Sequence, residues 1–184
     1  MPSDDNEMLQ AARRWDMSAL EQIYDTYSPS LYRYAWRLLG DVQIAEDCVS
    51  ASFERLLNSL RIGRGPRQHL QAYLYRIAHN WITDHYRSKR NSIGDLEDDN
   101  LHDDQPLPEA SVDKMQQQEI LRTAIIQLPP DQGLVISLKY LEGWDNEQIS
   151  DSLERSVGAV KALQHRAIAS LRKTINFAEI PHEK

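Results

Sequence analysis

Residues 144–173, WDNEQISDSLERSVGAVKALQHRAIASLRK, leave this chain little freedom over how its C-terminal part folds. Asp145 followed by Gln148 is a capping-box start, and Ile149 with Leu153 lays an apolar stripe along a helix of about eight residues. Glu154-Arg155 forms the turn. Ser156 caps a second helix, on which Val157, Val160, Leu163, Ala167 and Leu171 recur at helical spacing on one side. The other side carries Ala159, Lys161, Ala162, His165, Arg166 and Ser170, small or hydrogen-bonding groups that suit close approach to a DNA major groove. The pattern predicts a helix-turn-helix with an apolar inner face and a basic outer one.

A formal net charge of -7 taken alone argues against nucleic-acid binding. The charge is segregated, however. Residues 61–90 sum to +6 and 155–176 to +5, whereas the intervening 91–113 sum to -8. Two basic tracts either side of an acidic connector predict two phosphate-neutralising surfaces; solvated helix faces are the plainer alternative.

Composition excludes several other classes. No apolar run approaches the roughly 20 residues a membrane-spanning helix needs. MPSDDNEMLQ lacks the positive start and apolar core of a signal peptide, so a cytoplasmic location without membrane insertion is expected. Cys48 is alone and cannot form an internal disulfide; its helical setting predicts a small buried hydrophobe. The six His show no metal-ligand spacing, and no phosphate loop, nucleophile motif or paired carboxylates stand out, so neither a catalytic site, a metal site nor a cofactor is expected.

Taken in order, residues 5–15 predict a short helix, and a Ser18/Glu21 capping box opens a second that Pro29 ends. Ser30 then caps a third helix, terminated by Gly40. Asp41 starts a helix with Ile44, Cys48, Ala51 and Leu56 inward and Glu46, Asp47, Ser50, Glu54 and Arg55 outward; the acidic face is a candidate dock for a basic partner. RIGRGPRQ is a basic loop with Arg61, Arg64 and Arg67. From Gln68 to about Arg87 a long helix turns Leu70, Leu74, Ile77, Ala78 and Trp81 to the core and Tyr73, Arg76, Asn80, Asp84, His85 and Arg87 outward. Aromatics among Arg and Asn suit melted or single-stranded DNA, with core packing as the plainer alternative for the tyrosines. Residues 91–110 form a mobile acidic linker. Further helices are predicted from near Ser111 to Ile126 and, with Pro130 at its start, through Leu141. The fold class is therefore all-α: two helical domains, 1–90 and 111–176, joined by a flexible acidic linker at 91–110, the second a helix-turn-helix domain, with a tail at 177–184.

Four segments in this order, ALEQIYDTYSPSLYRYAWRLLGD, AEDCVSASFERLL, LQAYLYRIAHNWITDHYRSKR and the run from LPPDQG to SLRK, resemble sigma factors of the extracytoplasmic-function group, the promoter-recognition subunits of bacterial RNA polymerase. The resemblance covers nearly the whole chain. It implies that Ala45, Glu46, Asp47, Ser50, Phe53 and Glu54 meet the polymerase clamp helices. It places Arg61, Arg64, Arg67, Tyr73, Arg76, His79, Asn80, Asp84 and Arg87 at the minus-ten element, and Arg155, Ser156, Ala159, Lys161, Ala162, His165 and Arg166 at the minus-thirty-five element. The implied partners are core polymerase, through its clamp helices and flap, promoter DNA and an anti-sigma factor. Three departures are visible: Ser50 for a usual Gln, Glu154 for a usual turn Gly, and Leu163-Gln164 for a usual Arg-Leu. Glu154 is strained if the turn needs a positive φ, and Gln164 rather than residue 163 is expected to face DNA.

Two other classes stay open on sequence alone. A stand-alone helix-turn-helix regulator would bind DNA without polymerase, with residues 1–90 sensing or dimerising. A helical interaction module would show no salt-dependent DNA affinity.

Overall fold

The computed structural model describes residues 2–93 and 109–178, and every regular element among them is an α-helix. In chain order these are α1 (Pro2–Arg13), α2 (Met17–Leu39), α3 (Val42–Arg61), α4 (Leu70–Ile93), α5 (Glu109–Ile126), α6 (Pro130–Tyr140), α7 (Asn146–Ser152) and α8 (Val157–Ala178). Of the linker expected at 91–110, residues 91–93 belong to α4 and 109–110 to α5, and of the tail expected at 177–184, residues 177–178 belong to α8; the rest of both lies outside the described residues.

Local signals set most helix boundaries. Asp41 accepts from the Ile44 N–H at 2.9 Å and starts α3. Asp145 and Gln148 complete a reciprocal capping box at α7, with bonds of 2.7 and 2.8 Å. Ser156 Oγ accepts from the Ala159 N–H at the head of α8, and Pro130 opens α6. The side-chain caps at Asp41, Asp145 and Ser156 each contribute about 1 kcal/mol. Gly40 closes α2 at φ 73°, its N–H donating to the Trp36 carbonyl.

Three expectations at α2 need correction. Pro29 does not end a helix; it sits inside α2, which runs unbroken for 23 residues. Pro29 is exposed, so the carbonyl it leaves unpaired one turn back meets water, while the buried stripe Ile23, Tyr27, Leu31, Tyr34, Ala35 and Leu38 continues past it. Ser30 caps nothing and donates to the Tyr27 carbonyl. The start of α2 is likewise capped by Asp16, which accepts from the Ala19 N–H, rather than by Ser18.

Helices α1 to α4 pack around Leu31, Tyr34, Leu38, Cys48, Leu56, Leu74 and Ile82. Burial pushes the Cys48 thiol up to about 12, which makes it an inert core group. Helices α5 to α8 do not form a remote second body. Leu134, Val135 and Leu138 of α6 and Ile149 of α7 join the same apolar cluster, and α5 and α6 lie against α2 and α4. A smaller cluster of Leu128, Ile136 and Ala167 ties α8 to α6.

Candidate nucleic-acid and polymerase interfaces

On α8 the division of faces follows the spacing. Val160, Leu163 and Ala167 are buried, with Val157 and Leu171 half-buried, whereas Lys161, Ala162, His165 and Arg166 are exposed. Arg155 at the turn pairs with Asp131 of α6, which holds the reader helix to its support. Gln164 is half-buried and donates to Asn146 Oδ1 at 2.8 Å, so α7 sets its orientation. Ser156 is occupied as the cap and Ala159 is half-buried beside it. Glu154 has φ 52°, the positive value its position demands of a turn usually built with Gly.

A second basic surface surrounds the start of α4. Arg61, expected in the loop, is exposed in the last turn of α3, Arg64 and Arg67 are exposed on the loop that follows, and Arg76, Asp84 and Arg87 are exposed along α4. Tyr73 and Asn80 are half-buried, with the Tyr73 hydroxyl donating to Ser59 Oγ at 2.9 Å. Arg13 of α1, which sequence reading did not single out, donates to the Gly65 and Pro66 carbonyls at 3.1 and 3.0 Å and shapes this loop. Trp81 is half-buried and stacks on His85 with centroids 5.2 Å apart, an aromatic pair of the kind on which a base can stack.

His79 is the exception among these residues. It is 1% exposed and lies inward beneath α6, so in this arrangement it cannot touch DNA. Tyr34 Oη and His79 Nδ1 share a hydrogen bond at 2.7 Å, and burial pushes the imidazole down from 6.5 to about 4, keeping it neutral.

On α3, Glu46, Asp47, Ser50 and Glu54 are exposed as expected. Ala45 and Phe53 are not: Ala45 is fully buried and Phe53 packs against Tyr24 at 4.8 Å, so both support the face rather than form it. Beside the acidic residues lies a hollow of about 410 Å³ lined by Tyr24, Ser28, Pro29, Tyr32, Glu46, Val49 and Ser50. Tyr24 and Tyr32 come from α2, and helical periodicity shows only that they recur, not that they meet α3. Among the described residues no helix is long and apolar enough to cross a membrane.

Described residues that form only helices as regular elements, with a helix-turn-helix at α7 and α8 whose basic face is open, define the class of helical DNA-binding proteins. Two families match its sequence: Sigma-70 region 2 over residues 23–92 and Sigma-70, region 4 over residues 118–171. The chain is 30% identical to the ECF RNA polymerase sigma factor SigL of Mycobacterium tuberculosis over 165 residues, covering 87% of this chain and 90% of that protein. It is 29% identical to the ECF RNA polymerase sigma factor BldN of Streptomyces coelicolor over 173 residues, or 92% of this chain, and spans 65% of that longer relative. Among solved structures, CnrH in complex with the cytosolic domain of CnrY shares the fold, with a TM-score of 0.61, 20% identity, and coverage of 96% of this chain and 99% of that one. The chain belongs to the sigma-70 family, in the extracytoplasmic-function group of RNA polymerase sigma factors.

Proposed function

We propose that this chain binds core RNA polymerase and directs it to promoters, with residues 1–90 serving the clamp helices and the minus-ten element and residues 111–176 the minus-thirty-five element and the flap. The observation that carries this reading is the presence on one chain of an exposed acidic face on α3 and two separate exposed basic faces, on the α4 side and on α8. The acidic face (Glu46, Asp47, Ser50, Glu54) complements a basic protein surface. The α8 face (Lys161, Ala162, His165, Arg166) fits a major groove, with Arg155, Ser156, Ala159 and Gln164 holding its geometry.

Strand opening follows from trapping unstacked bases against the α4 aromatics while the loop arginines hold phosphates. Polymerase supplies the chemistry, and this chain works in the cytoplasm without a catalytic site, metal or cofactor of its own. An anti-sigma factor is its regulatory partner. The test is co-purification of the tagged full chain with core polymerase, followed by run-off transcription from a genomic promoter pool. Stable association with promoter-specific transcripts is the expected result; duplex DNA binding with no polymerase association would instead support a stand-alone regulator.

A further inference from the structure

Helix α1 closes in a Schellman motif: the Trp15 N–H donates to the Ala12 carbonyl at 3.0 Å and the Asp16 N–H to the Ala11 carbonyl at 3.2 Å. Asp16 then caps α2 with its side chain, so the turn between the two helices is fixed from both ends. The residue that makes the turn is Trp15, at φ 61°. Glycine is the residue such a position favours, because a Cβ in the left-handed region crowds the carbonyl oxygen that follows, and for a bulky side chain the conformation is a genuine outlier. Burial does not offset the strain, since Trp15 is 44% exposed and lies outside the apolar core. Single exposed apolar side chains are ordinary, but an indole that is both strained and exposed is explained by neither local geometry nor core packing.

The turn is fastened to the basic loop. Arg13 Nη1 donates to the Gly65 and Pro66 carbonyls at 3.1 and 3.0 Å. The loop itself is firmly held. The Arg64 N–H donates to the Ser59 carbonyl at 2.9 Å, the Gly63 N–H to the Leu60 carbonyl at 3.0 Å, and a Cβ on Gly65 would come 2.6 Å from Leu60 Cδ2. Two residues of chain span at most about 7.6 Å between Cα atoms, so Trp15 and the exposed Arg14 stand at the edge of the surface that Arg64 and Arg67 open. An exposed indole beside three cations is an arrangement that holds single strands: the ring takes a base and the guanidinium groups take phosphates.

We propose that the α1–α2 turn is a further single-strand contact, in which Trp15 stacks on an unpaired base flanking the minus-ten element and Arg14 pairs with its phosphate, while Arg13 fixes the turn to the reading loop. This rests on the sigma-factor function proposed above.

Trp15→Gly separates binding from folding, because the two effects carry opposite signs. Relief of strain should raise the melting temperature of the free chain by about 2–4 °C. Affinity of the polymerase complex for a fluorescent single-stranded oligonucleotide carrying the minus-ten element and its flanks should fall about tenfold, the worth of one stacked base. Trp15→Phe keeps a ring and should recover most of that affinity. Arg14→Ala should lower the slope of log affinity against log salt by about 0.7. Duplex binding through the minus-thirty-five element should stay at the parent's level in all three variants. Parent-level oligonucleotide affinity in Trp15→Gly would overturn the contact, as would a loss that Trp15→Phe does not recover. Weakened polymerase association with unchanged oligonucleotide affinity would also overturn it, and would make the turn a protein contact. The same titration on the free chain keeps the two proposals apart. A parent that never joins polymerase yet binds the oligonucleotide through Trp15 would uphold the contact and remove the sigma function; a parent that binds the oligonucleotide in neither state would remove both.

Discussion

Gly133 of α6 lies directly over the imidazole of His79 in α4: a Cβ at position 133 would come 2.6 Å from Nε2 and 3.1 Å from the Ile125 carbonyl oxygen. The ring is buried and bonded to Tyr34, and the carbonyl belongs to the backbone, so neither can retreat cheaply. Gly133→Ala is therefore expected to destabilise the protein by about 1–2 kcal/mol despite the better helix propensity of alanine. Gly158 of α8 is the control, since a Cβ there meets only Ser156 Oγ at 3.9 Å. Gly158→Ala should stabilise by about 0.5 kcal/mol, and urea midpoints of the two variants should move in opposite directions.

His79 makes the same contact sensitive to acid. Its folded value is pushed below its unfolded value of 6.5, to about 4, by burial, and the group facing it from α2 is the Tyr34 hydroxyl, which burial keeps protonated. Between those two values the unfolded chain binds a proton that the folded chain refuses. The stability contributed is whole above pH 6.5 and is lost as pH falls toward 4, by at most about 1.4 kcal/mol per pH unit. Denaturant midpoints recorded across that window should fall more steeply for the parent than for His79→Gln.

Glu154 occupies the left-handed region at φ 52° and is exposed. Replacing it by glycine relieves backbone strain that outweighs the extra chain entropy of glycine. Glu154→Gly should raise stability by about 0.5–1 kcal/mol, the reverse of the usual sign for a substitution to glycine. A lower melting temperature would show that the Glu154 side chain contributes something the backbone geometry does not reveal.

The two binding functions should separate by mutation. Arg166→Ala removes one exposed cation of α8 and is expected to weaken promoter binding while lowering the slope of log affinity against log salt by about 1. Asp47→Ala alters only the exposed acidic face of α3, so polymerase affinity should drop while DNA contacts stay as they were. Equal losses of both affinities in either variant would indicate misfolding and remove the assignment.

Much of the fold was legible in the chain because capping is local. Asp41, Asp145, Gln148 and Ser156 act on groups three residues away, so sequence spacing alone places them. Amphipathic spacing likewise separated the buried Val160, Leu163 and Ala167 from the exposed Lys161, His165 and Arg166. Pro29 misled because its lost hydrogen bond faces water, a matter of which side of α2 is buried. Ala45, Phe53 and His79 misled because a contact surface was read onto positions whose neighbours turn out to be other helices.

From its sequence alone this protein determined that it is helical, where most of its helices begin, that its charge falls into two basic tracts, and which face of α8 is free. Tertiary structure alone decided that the second half lies on the first. Tyr34 and His79 are 45 positions apart and Arg37 and Glu142 are 105, and no pattern of spacing or propensity encodes which distant side chains meet. That pairing depends on shape, burial and the exchange of solvent for protein partners along the whole interface, which exist only once both halves have folded.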